Sequence, residues 1–149
     1  MSKISIDLIW KLENATFAQG KYSNKHKINF TPNISVNGDS APDWLGDSVN
    51  INPEQTLAAS LSSCHMMTFL ALAAKLKWPV LSYKDNAIAT LGKNTKGMMS
   101  VTKIELSPKV EFSKNFSIDE KKMKEMQDRA HRYCFIANSL SKDVIVEIN

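Results

Sequence analysis

The sequence has few cysteines, few arginines and no sustained block of like charge, and each scarcity excludes something. Only two cysteines occur in 149 residues, Cys64 and Cys134. They form no C-x-x-C pair, which excludes zinc-ribbon and thioredoxin-type motifs. Without a secretory signal, two thiols are not a structural disulfide framework. The three histidines, His26, His65 and His131, lack ligand spacing, so no metal is expected. The net charge is +4. Basic residues are spread along the chain with no run of five or more, so neither a nucleic-acid nor a membrane partner is indicated. The opening Met-Ser-Lys-Ile-Ser-Ile-Asp lacks an apolar core of signal-peptide length, so a cytoplasmic protein is expected. There are no repeats and no low-complexity segments. The only arginines are Arg129 and Arg132.

Against these scarcities stands one dense segment, residues 52–76. Asn52 is a good helix N-cap, Pro53 suits the first helical position, and Gln55 can complete a capping box. Lys75 and Lys77 sit where positive charge suits the helix dipole. Between these ends the segment is almost uncharged and apolar nearly all round, which predicts a buried central helix. Its first half carries Ser60, Ser62, Ser63 and His65, so its wholly apolar run is about half of what a bilayer requires.

Hydrophobic content of 43 % and charged content of 23 % fit a single folded domain spanning residues 1–149. Alternation over residues 3–12 predicts a strand with one buried face. Turn residues at 14–20 and a second strand over 21–30 predict an opening hairpin. Residues 31–50 hold Pro32, Asn37-Gly38, Pro42 and Gly46, and read as a loop with one short strand candidate at 34–36. Pro79 predicts that the central helix stops near Lys77. Strands are expected over 80–91, 98–112 and 144–148, with Pro108 marking an edge or bulge. Ser117 to Glu120 reads as a capping box opening a second helix, with Met123, Met126, Ala130 and Cys134 inward. The order is α+β with largely antiparallel sheet.

Both cysteines fall on apolar helix faces, where inert buried thiols are common. Three features point beyond packing. Cys64 is flanked by Ser62, Ser63 and His65; Cys134 follows Ala-His-Arg-Tyr; and the thiols sit on different helices that can share a core. Such a pair suits peroxide reduction, in which one thiolate becomes a sulfenic acid and the second closes a disulfide. The attacking thiol needs a cationic or hydrogen-bonding neighbour to ionise at neutral pH. Glu54 is a favourable charge in the first helical turn. Ten residues separate it from Cys64, about 15 Å of helical rise, so cooperation between them requires a second copy of the helix. His65 lies roughly 100° around the helix from Cys64. A Cys–His acyl-transfer site would therefore draw on His26 or His131.

Asn52-Pro-Glu-Gln, Ala58-Ala-Ser-Leu-Ser-Ser-Cys64 and Ala130-His-Arg-Tyr-Cys134-Phe-Ile-Ala-Asn138-Ser together resemble the OsmC/Ohr family of cysteine-based peroxidases. The resemblance covers roughly residues 5–149. Tyr22-Ser-Asn-Lys-His26 and Leu61-Ser-Ser-Cys-His65 look like an OsmC-like branch of that family. The resemblance implies an intertwined homodimer with sheets wrapped around central helices, and a peroxidase acting on organic hydroperoxides. It implies Cys64 as the peroxidatic residue, Cys134 as the resolving residue, and Glu54 orienting a cation beside the thiolate. It implies no cofactor beyond an external dithiol reductant, for which the family points to dihydrolipoyl groups. The family's cation is an arginine of the N-terminal hairpin. Here Lys21 and Lys25 lie where it is expected, and a lysine lacks the two-pronged donor. Phe135 replaces the proline often found after the second cysteine. The non-enzymatic alternative is a dimeric binding module that kept the fold.

Overall fold

The computed structural model describes residues 2–13 and 16–149, and the chain is α+β. It forms two compact units, Met1–Thr56 and Leu57–Asn149, and one helix begins in the first and continues through the second.

The first unit is a three-stranded antiparallel sheet in the order β1-β2-β3, with β1 Asp7–Ile9, β2 His26–Thr31 and β3 Ile34–Gly38. The expected opening hairpin is present, but shorter. Asn14 lies outside the described residues, and the turn at Gly20 (φ 71°) is closed by Lys21 N donating to the Ala18 carbonyl at 2.9 Å. The second strand begins only at His26. The expectation of a buried face on the first strand does not hold in the single chain. Ile4, Ile6 and Leu8 are all exposed.

Residues 39–50 form an ordered loop. Its organiser is Asp39, which is buried and accepts hydrogen bonds from Ser40 N at 2.8 Å and Asp47 N at 3.0 Å. Gly46 is required there, because a Cβ would lie 1.6 Å from the Ser40 carbonyl oxygen.

Helix α1 is Pro53–Lys75. The capping box forms reciprocally: Gln55 N donates to Asn52 Oδ1 at 2.8 Å, and Asn52 N donates to Gln55 Oε1 at 3.0 Å. The helix ends before Pro79 acts. Lys77 turns left-handed (φ 57°), with Trp78 N donating to the Ala73 carbonyl and Lys77 N to the Ala74 carbonyl. That pattern is a Schellman stop built without glycine. Burial is one-sided. Ala58, Leu61, Cys64, His65, Phe69 and Ala73 are buried, while Ala59, Ser63, Met67 and Ala71 are exposed at four-residue spacing.

In the second unit the two long strands expected at 80–91 and 98–112 each break. β4 Val80–Lys84 pairs with β7 Lys109–Phe112, and β5 Ile88–Lys93 pairs with β6 Met99–Leu106. β8 Ile145–Ile148 joins β6 in parallel, the one parallel pair of strands among the described residues. Asp85 sits at the double break. Its Oδ1 accepts from Ser107 N at 2.7 Å, and its Oδ2 accepts from the Ser62 hydroxyl on α1. One carboxylate thus links both strand breaks to the helix two residues before Cys64.

Helix α2 is Glu120–Tyr133, capped by Asp119 rather than by Ser117, with Lys122 N donating to Asp119 at 2.8 Å. Met126 and Ala130 are buried, as their spacing predicts. Two apolar clusters line α1. Leu61, Ile104 and Leu106 pack with Cys64 and Cys134, and Phe69 and Ala73 pack with Met126 and Ala130. Each fully buried Leu, Ile or Phe contributes roughly 1.5–3 kcal/mol.

Candidate active site

Cys64 lies midway along α1 and packs with Leu61 in one apolar cluster. Cys134 caps the C-terminus of α2, and its N–H donates to the His131 carbonyl. The two thiols share one apolar cluster with Ile136 and Ala137. Both are free thiols, and each shifts the ionisation of the other.

The surroundings separate the two thiols chemically. Burial alone would raise the Cys64 pKa. Hydrogen bonds from the Cys134 thiol, the N–H groups of Ile136 and Phe135, and the Thr68 hydroxyl outweigh it, so the net shift is downward. Burial pushes Cys134 up to about 11, and its hydrogen bond to Cys64 and the Cys64 charge act in the same direction. Ala137 N donates to Cys134 Sγ at 3.4 Å and offsets part of that rise. Cys64 is thus the more acidic thiol of the pair.

Sequence reasoning paired these cysteines and missed their supports. Thr68 lies one turn after Cys64, and its hydroxyl donates to the Cys64 carbonyl at 2.9 Å. The contribution of residues 135 and 136 is through backbone, for which side-chain identity carries no signal.

The other candidates belong to the first unit and to α2. Glu54 is in the first turn of α1, and its Oε2 is buried without a hydrogen-bond partner among the described residues. Lys25 pairs with Asp47 at 3.2 Å, not with Glu54, and that hydrogen bond raises its pKa. Lys21 is exposed and lines an open groove of about 630 Å³ in the first unit, together with Tyr22, Lys25, Trp44 and Asp47. Arg129 and Arg132 are both exposed on α2.

His65 is fully buried, and its Nε2–H donates to Gln127 Oε1 at 2.7 Å. Its ring centroid is 6.5 Å from that of His131. His26 Nδ1–H donates to the Asn24 carbonyl at 2.7 Å, and its ring lies against Gly38. None of the four groups holding the Cys64 sulfur is an imidazole. Among the described residues there is no cluster of three metal-ligating side chains.

The family profile described as OsmC-like protein matches residues 46–149, the stretch that carries both cysteines. The chain belongs to the OsmC-like protein family. An OsmC-like protein of unknown function from Vibrio cholerae is 39 % identical, with a TM-score of 0.90 and 100 % of both chains covered. An organic hydroperoxide resistance protein from Elizabethkingia anophelis shares the fold at 13 % identity and a TM-score of 0.73, covering 99 % of this chain and 95 % of its own. The organic hydroperoxide resistance protein OhrB of Bacillus subtilis does so at 15 % identity and a TM-score of 0.70, covering 99 % and 97 %. No curated protein matches the chain. Within this OsmC-like frame, the asymmetric thiol pair is the feature of the second unit with evident chemistry.

Proposed function

We propose that this OsmC-like protein is a thiol peroxidase that reduces organic hydroperoxides. The observation that supports the reading is the burial of both free thiols in one apolar cluster, with their pKa values shifted in opposite directions. The Cys64 thiolate attacks the distal peroxide oxygen, the O–O bond breaks, and the alkoxide takes a proton to leave as alcohol. Cys64 is then a sulfenic acid. The Cys134 sulfur attacks it, the S–O bond breaks, and water leaves with the Cys134 proton. An external dithiol, of the dihydrolipoyl class, reduces the Cys64–Cys134 disulfide.

Organic peroxides suit the site because Cys64 sits in an apolar cluster and Met66, Met67 and Phe69 follow it on α1. Names of the Elizabethkingia and Bacillus proteins support the same substrate class. Glu54, with its unpaired buried oxygen, would orient the ammonium of Lys21 or Lys25 toward the peroxide, contributed across a homodimer. Support for the homodimer is the exposed Ala59, Ser63, Met67, Ala71 stripe and the exposed apolar residues of the first unit.

The test is consumption of cumene hydroperoxide with dihydrolipoamide as reductant, read with mass spectrometry of the protein. Turnover and a loss of two hydrogens are expected, and Cys64→Ser abolishes both. Full activity in Cys64→Ser would sink the assignment. A binding module without catalysis is the second reading, favoured by the restriction of arginine to α2. An unreactive Cys64 with no hydroperoxide turnover would establish it.

A further inference from the structure

Helices α1 and α2 are joined by a buried polar contact that the thiol chemistry leaves unused. His65 on α1 and Gln127 on α2 are 0 % and 5 % exposed. His65 Nε2 and Gln127 Oε1 lie 2.7 Å apart. Gln127 Nε2 turns the other way, to Met123 Sδ at 3.9 Å, so the amide presents its oxygen to the ring. His65 therefore carries its hydrogen on Nε2, and in the neutral ring Nδ1 is left as an acceptor. Burial keeps the ring neutral by lowering its pKa. That Nδ1 is buried and has no hydrogen-bond partner among the described residues. The same is true of His131 Nδ1, one turn of α2 beyond Gln127. The two rings are neighbours, tilted by 46° with centroids 6.5 Å apart. At that spacing no nitrogen of one ring comes within the about 2.7–3.2 Å of a direct hydrogen bond to the other. Buried polar atoms rarely go without a partner, and a gap of this size between two of them is what a single water bridges.

We propose that one internal water sits between His65 Nδ1 and His131 Nδ1 and completes a hydrogen-bonded chain from α2 to α1 and back. His131 Nδ1–H donates to the water, the water donates to His65 Nδ1, and His65 Nε2–H donates to Gln127. A buried water needs at least two polar partners, and the two nitrogens supply them. The chain accounts for two imidazoles beside the apolar contact of Phe69 and Ala73 with Met126 and Ala130. It has a second role, which rests on the peroxidase reading. His65 adjoins Cys64 in α1. His131 is three residues before Cys134, whose N–H donates to the His131 carbonyl at 3.2 Å. The water thus ties together the two segments that carry the thiols. His65 and His131 are positioning residues for closure of the Cys64–Cys134 disulfide, and neither imidazole has to touch a sulfur or the peroxide to act.

The test has two parts. A high-resolution crystal structure of the reduced wild-type protein is expected to show one water within about 3.2 Å of both Nδ1 atoms. No density there, or an ion at the about 2.0–2.1 Å of a metal–imidazole bond, would overturn the water. The positioning role is read by reduction. The Cys64–Cys134 disulfide, formed with one equivalent of cumene hydroperoxide, is equilibrated with dithiothreitol, and the free thiols are counted by mass spectrometry. His131→Leu removes the nitrogen, and its disulfide is expected to be reduced about tenfold more readily, as the loss of one buried hydrogen bond allows. His131→Asn keeps a polar atom close to the Nδ1 position and is expected to stay near wild type. A wild-type equilibrium in His131→Leu would overturn the positioning role. So would an equal shift in His131→Asn, which would assign the effect to the lost ring. A wild-type protein that closes no disulfide would sink the peroxidase reading and the positioning role with it, while the water is judged by the density alone.

Discussion

Cys64 and Cys134 are free buried thiols of one apolar cluster, and their pKa values shift in opposite directions, Cys64 down and Cys134 up. Burial opposes ionisation of both sulfurs, so whichever receives more hydrogen bonds becomes the thiolate. The polar surroundings of Cys64 lower its pKa against burial, whereas burial dominates at Cys134.

That asymmetry predicts the order of reaction. One equivalent of cumene hydroperoxide is expected to oxidise Cys64 first. In Cys134→Ser a sulfenic acid accumulates on Cys64 and is trapped by dimedone. Equal labelling of both cysteines at pH 7 would contradict the assignment, since Cys134 is pushed up to about 11.

The lysines are predicted to act on the peroxide, with Glu54. An ammonium cannot grip carboxylate and peroxide oxygen together as a guanidinium does. Replacing the operative residue, Lys21→Arg or Lys25→Arg, is expected to raise turnover. The alanine variant is expected to lower it by about ten- to a hundredfold, about 1.5–3 kcal/mol for one charge-assisted contact. Steady-state kinetics with cumene hydroperoxide decide this, and no effect from either lysine would exclude both.

Asp85 is predicted to be a stability residue with local reach. Asp85→Ala leaves Ser107 N–H and the Ser62 hydroxyl without their acceptor, at about 1–3 kcal/mol for each group that stays buried. Urea unfolding measures the cost. Because Ser62 lies one half-turn from Cys64, the alkylation rate of Cys64 is expected to change as well.

His65 predicts acid sensitivity. Burial lowers its pKa, and a charged His131 nearby lowers it further, against the hydrogen bond to Gln127 and the charge of Asp85. The unfolded chain therefore binds a proton that the folded chain resists. Stability from this group is fully present above the unfolded value of about 6.5 and is lost as pH falls below it. Thermal midpoints are expected to drop between pH 7 and pH 5, and to drop less in His65→Gln, whose amide can still donate to Gln127. An unchanged slope in the variant would remove His65 as the cause.

What the sequence by itself determined was the punctuation of the helices and the placing of both cysteines in a shared core. Asn52, Pro53 and Gln55 act within one turn, and Met126, Ala130 and Cys134 repeat with the helical period, so local spacing was enough. The breaks at Asp85 and Ser107 were not legible. They arise from one carboxylate bridging two strands and a helix, groups that are 22 and 23 residues apart in the chain. The exposed faces of the first strand and of α1 were read as buried because composition reports a need for burial and not what satisfies it within one chain. At the site, sequence could name the two sulfurs but not rank them. Their ranking depends on which N–H groups point at which sulfur. Peptide N–H groups are the same at every residue but proline, so only the folded backbone decides where they converge.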